Sequence, residues 1–342
     1  MDHGKLEPQV LLSSLLREVS RSFYRTLQVL PGAIRPQISV AYLLARTTDT
    51  IADTDLVPLD RRLEALDMLR GRILGLSDKP IELGELARHQ GAGAERVLLE
   101  NCEQAIRLLR DLSSADLQRV REVLAVITSG QQLDLHRFAN ASANQVVALV
   151  KDEELEDYMY RVAGCVGEFW TKMCRAHVFP DAVLDETDLV TKGVKFGKGL
   201  QLVNILRDLP ADLRKGRCYL PRQDLAQAGL APTDLLQRSN EPRFRTTYND
   251  YLRRAETYLE TGWAYTQLVP WRCVRVRLAC AWPLLIGRET LALLHSRNIL
   301  DPDQRIKISR GQIKSIIWRT VLYYPWPTAW RRLFWPQEIH AK

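Results

Sequence analysis

The chain has no long apolar run. Its two most apolar late stretches are interrupted, the first by Arg275, Arg277 and Arg288 and the second by Arg319, Pro325 and Pro327, so neither supplies the ~20 uninterrupted apolar residues of a membrane crossing. Six cysteines (Cys102, Cys165, Cys174, Cys218, Cys273 and Cys280) form no CxxC and no ligand-like spacing with histidine. That argues against zinc and a disulfide frame, and for reduced thiols in the cytoplasm. The start, MDHGKLEPQ, lacks a basic segment followed by an apolar one, so no signal peptide is expected. Runs of alternating strand residues are missing, as are repeats with a ~20–50-residue period and any linker-like stretch.

What is present is helical periodicity. Segments near 9–30, 34–53, 59–76, 94–111, 115–138, 153–178, 185–212, 243–268, 271–296 and 309–323 carry it, with Pro31-Gly32, residues 77–93, 240–242 and 301–302 as boundaries. With 342 residues, 46% apolar and 26% charged, the chain is globular and long enough for a sizeable core. The expectation is one all-α domain over residues 1–342, its helices packed around a central cavity.

The net charge of +7 suits anionic partners without choosing among nucleic acid, membrane and diphosphate. From about residue 312 to 342 the segment is basic and aromatic: Lys314, Arg319, Arg331 and Arg332 interleave with Trp318, Tyr323, Tyr324, Trp326, Trp330, Phe334 and Trp335. Such a mixture favours a membrane interface, where rings sit at headgroup level and cations meet anionic lipid. Packing of the same rings on the protein body is an equal alternative. Single-stranded nucleic acid fits the composition alone, but no nucleic-acid module accompanies it, so none is expected as a partner.

Two carboxylate pairs carry the chemistry. Asp49/Asp53 in RTTDTIADTD and Asp208/Asp212 in NILRDLPADLRKGR each have i, i+4 spacing, which stacks both acids on one helix face. Such neighbours repel when ionised unless a cation lies between them. Mg2+ with a phosphorylated substrate is the natural partner, because it takes hard oxygen ligands and usually one or two protein carboxylates. Tyr42, Arg46, Asp49 and Asp53 share one stripe, as do Gln201, Asn204, Asp208 and Asp212. A polar stripe on an otherwise apolar helix suggests a lined cavity; taken singly, each could also face solvent. Pro210, lying between the second pair, cannot donate to residue 206, so a local kink is expected. His89, His136 and His177 carry no readable chemistry, and Glu153, Glu154, Glu156 and Asp157 read as an acidic helix start.

SRSFYRTLQVLPGAIRPQISVAYLLARTTDTIADTD, YMYRVAGCVG and GKGLQLVNILRDLPADLRKGRCYLP resemble the signature segments of the squalene/phytoene synthase family, especially its squalene synthases, collinearly from about residue 18 to 315. The resemblance implies an isoprenoid synthase fold, and head-to-head joining of two farnesyl diphosphates through presqualene diphosphate, with NADPH reducing that intermediate to squalene. Dehydrosqualene or phytoene synthesis without NADPH is the enzymatic alternative. A non-catalytic assembly protein is a lesser one, since such relatives have eroded aspartate motifs.

Carried over by position, the resemblance assigns Mg2+ to Asp49, Asp53, Asp208 and Asp212, and a flap over the substrate to Arg21 and Phe23. Arg46, Arg207 and Arg217 would contact diphosphate or pair with the carboxylates. Tyr158 falls on the catalytic tyrosine, Tyr42 on a second active-site tyrosine, and Asn204, Lys307 and Arg310 on the NADPH site. Residues 163–167 would let a prenyl chain lie close to backbone, or serve close helix packing. The chain departs from the family pattern at Ala52 and Thr54, where acids often stand, and at Ser309, where a further basic residue often does. A bacterial-type enzyme without the long anchor of eukaryotic relatives, soluble or peripheral on the membrane, is expected, and so is a monomer.

Overall fold

The computed structural model describes residues 14–20, 24–90, 93–301, 304 and 306–335. Its principal helices are α1 (Arg35–Ala52), α2 (Leu59–Leu74), α3 (Gly93–Glu100), α4 (Ser114–Arg137), α5 (Asp152–Met159), α6 (Cys165–His177), α7 (Glu186–Arg214), α8 (Glu241–Leu268), α9 (Val274–Ser296), α10 (Arg310–Tyr323) and α11 (Pro327–Arg332). Their ends fall where the sequence supplies caps. Ser113 accepts the Asp116 N–H at 3.2 Å to open α4, and Asp185 accepts the Asp188 N–H at 3.0 Å to open α7. Gly75 closes α2 with a left-handed φ of 73°.

The all-α expectation holds, and most expected spans agree to within a few residues. Two are subdivided. The stretch 94–111 becomes α3, a short helix Cys102–Arg107 and a 3-10 turn Leu108–Asp111. A π-helical turn at Tyr160–Gly164 separates α5 from α6. One extra residue in a turn shifts the buried face without changing composition, so periodicity alone passes over it. The sequence also hides a two-residue parallel pair, β1 (Val147–Ala148) with β2 (Arg217–Cys218), in register Val147 to Arg217. Strands this short carry no alternation to read.

The chain divides into two compact units, Met1–Ala139 with Phe169–Pro180, and Asn140–Glu168 with Asp181–Lys342. In the first, α1 and α2 pack on α4 and on each other. Leu43, Leu44 and Ile51 of α1, Leu66 and Leu69 of α2, and Val120 and Leu124 of α4 are buried, each removing apolar surface from water at about 2 kcal/mol per side chain. Asp116 at the start of α4 is buried too. Its carboxylate accepts from Arg119 and Gln37 and bonds His177 Nε2 at 2.8 Å, so His177 ties the end of α6 to α4.

In the second unit α7 is the spine. It packs along α8 and against the π-helical turn, and α8 continues onto α9 and α9 onto α10. The crossing with the π-helical turn and α6 is built from glycine. A β-carbon on Gly167 would overlap the carbonyl of Gly193, and one on Gly197 would overlap that of Ala163. The small residues at 163–167 therefore serve close helix packing, with backbone against backbone.

Candidate active site

The first aspartate pair ends α1. Asp49 lies in the helix and Asp53 is its C-cap, donating its N–H to the Asp49 carbonyl at 2.9 Å. Three neighbouring threonines take themselves out of the reckoning. Thr47, Thr50 and Thr54 are buried and donate to the carbonyls of Leu43, Arg46 and Thr50 at 2.9, 2.8 and 2.7 Å, which satisfies their hydroxyls inside the core. Tyr42, Arg46, Asp49 and Asp53 form the less buried line of the same helix. Arg62 donates to the Ala52 carbonyl at 2.8 Å and steadies the helix end.

Arg46 anchors this site through both arms. One nitrogen bonds Asp49 Oδ2 at 2.5 Å and the other the buried Glu95 at 3.1 Å. Burial foremost, and then the Asp53 charge, push the Asp49 carboxyl up to about 6 against the pull of Arg46. Its side chain nonetheless keeps 43% of its surface open to water, as a carboxylate does in a recess crowded by protein on most sides.

The second pair lies at the end of α7, which runs through Pro210 to Arg214 without leaving helical conformation. Pro210 has no N–H for the carbonyl of Leu206. The buried hydroxyl of Tyr248, on α8, donates to that carbonyl at 3.1 Å instead. Arg207 clamps Asp208 with two parallel bonds, Nε to Oδ1 at 2.8 Å and Nη2 to Oδ2 at 2.5 Å. The Asp208 hydrogen bond first, and the Asp208 and Asp212 charges, raise the Arg207 guanidinium further despite partial burial.

Just beyond, Gly216 turns the chain with φ of 78°, pressed so closely on Ser142 and Gln145 that a β-carbon there would overlap them. Arg217 is held next to this turn by pairing with Val147. Two residues on, Tyr219 stacks on Tyr158 with ring centroids 4.6 Å apart. Pairing and stacking thus tie Tyr158 to the segment that follows Asp212.

A network the sequence did not reveal underpins α5. Glu156 accepts from Lys198 and Tyr258, each at 2.6 Å, and from Arg254, which also bonds Asp152 at 2.6 Å. Burial opposes ionisation of Glu156, but the bonds from Lys198, Tyr258 and Arg254 win and hold its carboxyl down at about 2. The acidic start of α5 is therefore an ion cluster tied to α7 and α8 as well as a favourable helix terminus. Glu156 was readable only as part of an acidic helix start, and Glu95 and Tyr248 carried no readable signal, since their partners are remote in sequence. Pro210 announced an orphan carbonyl but not the donor.

The remaining candidates are dispersed. Asn204 is half-buried on α7, and Lys307 and Arg310 are exposed at the start of α10. Ser309 is the N-cap of that helix: its Oγ accepts the Gln312 N–H at 3.2 Å while Gln312 Oε1 accepts the Ser309 N–H at 3.0 Å. Arg21 and Phe23 lie outside the described residues. A groove of about 510 Å³, lined in part by Asp188, Lys192, Trp263 and Arg331, opens near the start of α7. Twenty residues of helix put it about 30 Å from Asp208.

Among the described residues no group of three or more His, Cys, Asp or Glu side chains could hold a metal. Each motif offers two carboxylates. Hard oxygen donors in twos leave positions for phosphate and water, as Mg2+ prefers.

The all-α architecture is that of the isoprenoid synthase fold, shared with solved squalene synthase structures. Residues 16–312 match the squalene/phytoene synthase family model, and the chain belongs to that family. It is 31% identical over 237 residues to the presqualene diphosphate synthase of Zymomonas mobilis, covering 69% of this chain and 68% of that one. It is 30% identical over 250 residues to the 15-cis-phytoene synthase of Synechocystis sp., covering 71% and 64%. To the squalene synthase of Schizosaccharomyces pombe it is 27% identical over 310 residues, covering 90% and 64%. The structure of TcSQS in complex with a ligand superposes with a TM-score of 0.74 at 20% identity, over 91% of this chain and 85% of that one. The chain thus spans a little under two thirds of the Synechocystis enzyme. These relatives are named for three different products, so membership gives the family and no single activity.

Proposed function

We propose that this protein joins two farnesyl diphosphates head to head through presqualene diphosphate and reduces the product to squalene with NADPH. The observation that carries the reading is the pairing of Asp49 with Asp53 on the less buried line of α1 and of Asp208 with Asp212 at the end of α7; burial and Asp53 push the Asp49 carboxyl up, which a divalent cation would relieve. In this reading Asp49, Asp53, Asp208 and Asp212 hold Mg2+, which would supply electrostatic stabilisation of the diphosphate leaving group. Arg46 and Arg207 orient the carboxylates through the bonds described and present further positive charge to the departing oxygens. Arg217, fixed by the β pair, is a third such cation.

Tyr158 takes or relays the proton lost when the cyclopropane closes. A phenol with pKa near ~10 is a weak base alone, so the released diphosphate shares the task. Tyr42, beside Arg46, offers an aromatic face to an allylic cation. Lys307 and Arg310, exposed at the start of α10, suit a dinucleotide phosphate, and Asn204 the nicotinamide end.

Incubation with farnesyl diphosphate and Mg2+, with and without NADPH, followed by mass spectrometry, tests this. Squalene formed only with NADPH is the expected result. A product that NADPH leaves unreduced, or turnover restricted to the C20 diphosphate, overturns the assignment in favour of a dehydrosqualene or phytoene synthase. Absence of diphosphate release at saturating substrate and metal overturns catalysis altogether.

A further inference from the structure

The last two helices turn apolar side chains to water. Helix α10 already has an inner face, Ile313, Ile316, Ile317 and Thr320, at i, i+3, i+4 and i+7, with the buried Thr320 hydroxyl accepting from the Trp282 indole at 2.9 Å. Its outer side should then be polar. Instead Trp318, Val321 and Leu322 stand there 67%, 47% and 44% exposed. Trp326 and Trp335 follow, 57% and 54% exposed.

The rings of the same segment that pack on the body are different ones. Trp330 is fully buried and Phe334 nearly so, stacked on Trp263, while Tyr324 stacks on Trp271 at 4.5 Å. Packing on the body therefore accounts for one set of rings. The inner rings fasten α10 and α11 down, and the outer rings are left without cover. An exposed aromatic cluster of this kind marks an interaction surface.

Charge identifies what covers it. Between residues 310 and 335 there are five basic residues (Arg310, Lys314, Arg319, Arg331 and Arg332) and no acidic one, and all five are exposed. Lys314 and Arg319 flank Trp318 on the outer side of α10. Tryptophan within a rim of cations matches the headgroup layer of an anionic bilayer, and among the described residues no helix is long and apolar enough to cross one. We propose that the outer face of α10 and the start of α11 dock on anionic membrane, with Trp318 and Trp326 at headgroup depth. Its use rests on the proposed function: a hydrocarbon product insoluble in water would leave a docked protein directly into lipid.

Cosedimentation of the full chain with phosphatidylcholine vesicles, with and without roughly 30% phosphatidylglycerol, tests the docking without any substrate. Binding to the anionic vesicles, weakening as salt rises, with a blue shift of tryptophan emission, is expected. Trp318→Ser with Trp326→Ser should weaken it about tenfold, and Lys314→Glu with Arg319→Glu by at least as much. All four side chains are exposed, and circular dichroism checks that the variants fold. No binding, equal binding to neutral vesicles, or unchanged binding by the variants overturns the proposal. So does self-association abolished by Trp318→Ser in a protein that ignores vesicles, which would make the face an interface between copies. Diphosphate release without vesicles reports the proposed activity separately.

Discussion

The two aspartate pairs share one spacing and keep different electrostatic company. Asp208 is gripped at both oxygens by the residue before it, so its charge is answered locally. Asp49 receives one bond from an arginine that it shares with Glu95, and Asp53 and burial outweigh that help. A bidentate clamp neutralises a carboxylate in place; a divided one leaves charge for a ligand to answer. Spacing therefore sets where the oxygens are, and the arginines set how much of each charge is left unanswered.

The sharpest way to break this contrast is to neutralise each side in turn. Asp49→Asn and Asp208→Asn should each lower turnover about 10²–10³-fold, while their metal-free melting temperatures move in opposite directions. Asp49 binds its proton more tightly folded than unfolded, so ionising it costs stability as pH rises from about 4 to about 6. Asp49→Asn should consequently melt higher at neutral pH and lose that advantage below about pH 4. Asp208→Asn strands half of the Arg207 clamp and should melt lower. Calorimetry showing both variants shifted the same way would remove the contrast.

Next in size is the scaffold under the second pair. Gly197→Val forces side-chain volume into the Ala163 carbonyl and should destabilise by roughly 3 kcal/mol or more in urea unfolding. Glu156→Gln should cost about 2 kcal/mol, discounted for the part of the side chain that water reaches. Because its carboxyl is held at about 2, the stability it contributes is full above the ordinary glutamate range and is lost as pH falls from about 4.5 toward 2. The variant's melting curve should therefore be flat across that window relative to the parent's. Smallest is Tyr248→Phe, which orphans the Leu206 carbonyl and should cost about 1–2 kcal/mol. Slower amide exchange around residue 206 in the variant would contradict the role given to that hydroxyl.

Much of this was legible in the residues. Helical periodicity found α1, α7 and α8 to within a few positions, and i, i+4 arithmetic put Tyr42, Arg46 and Asp49 on the less buried line of α1. What escaped depended on partners far along the chain. Glu156 meets Lys198 and Arg254 across 42 and 98 residues, and no local pattern encodes such a meeting. The helix in which a kink is expected at Pro210 runs on to Arg214, and a neighbouring helix supplies the donor that proline lacks. At Ser309 the absent cation has a local reason, since that position caps α10. The two readings of the C-terminal aromatics could not be separated by composition, which does not say which ring faces in.

The glycine crossing limits how the second unit can adapt. Where Gly167 meets Gly193 and Gly197 meets Ala163, main chains already touch, so the π-helical turn and α6 have no slack to slide nearer to α7. Any change of shape on this side of the second unit must come from trimming or enlarging side chains around that fixed pivot.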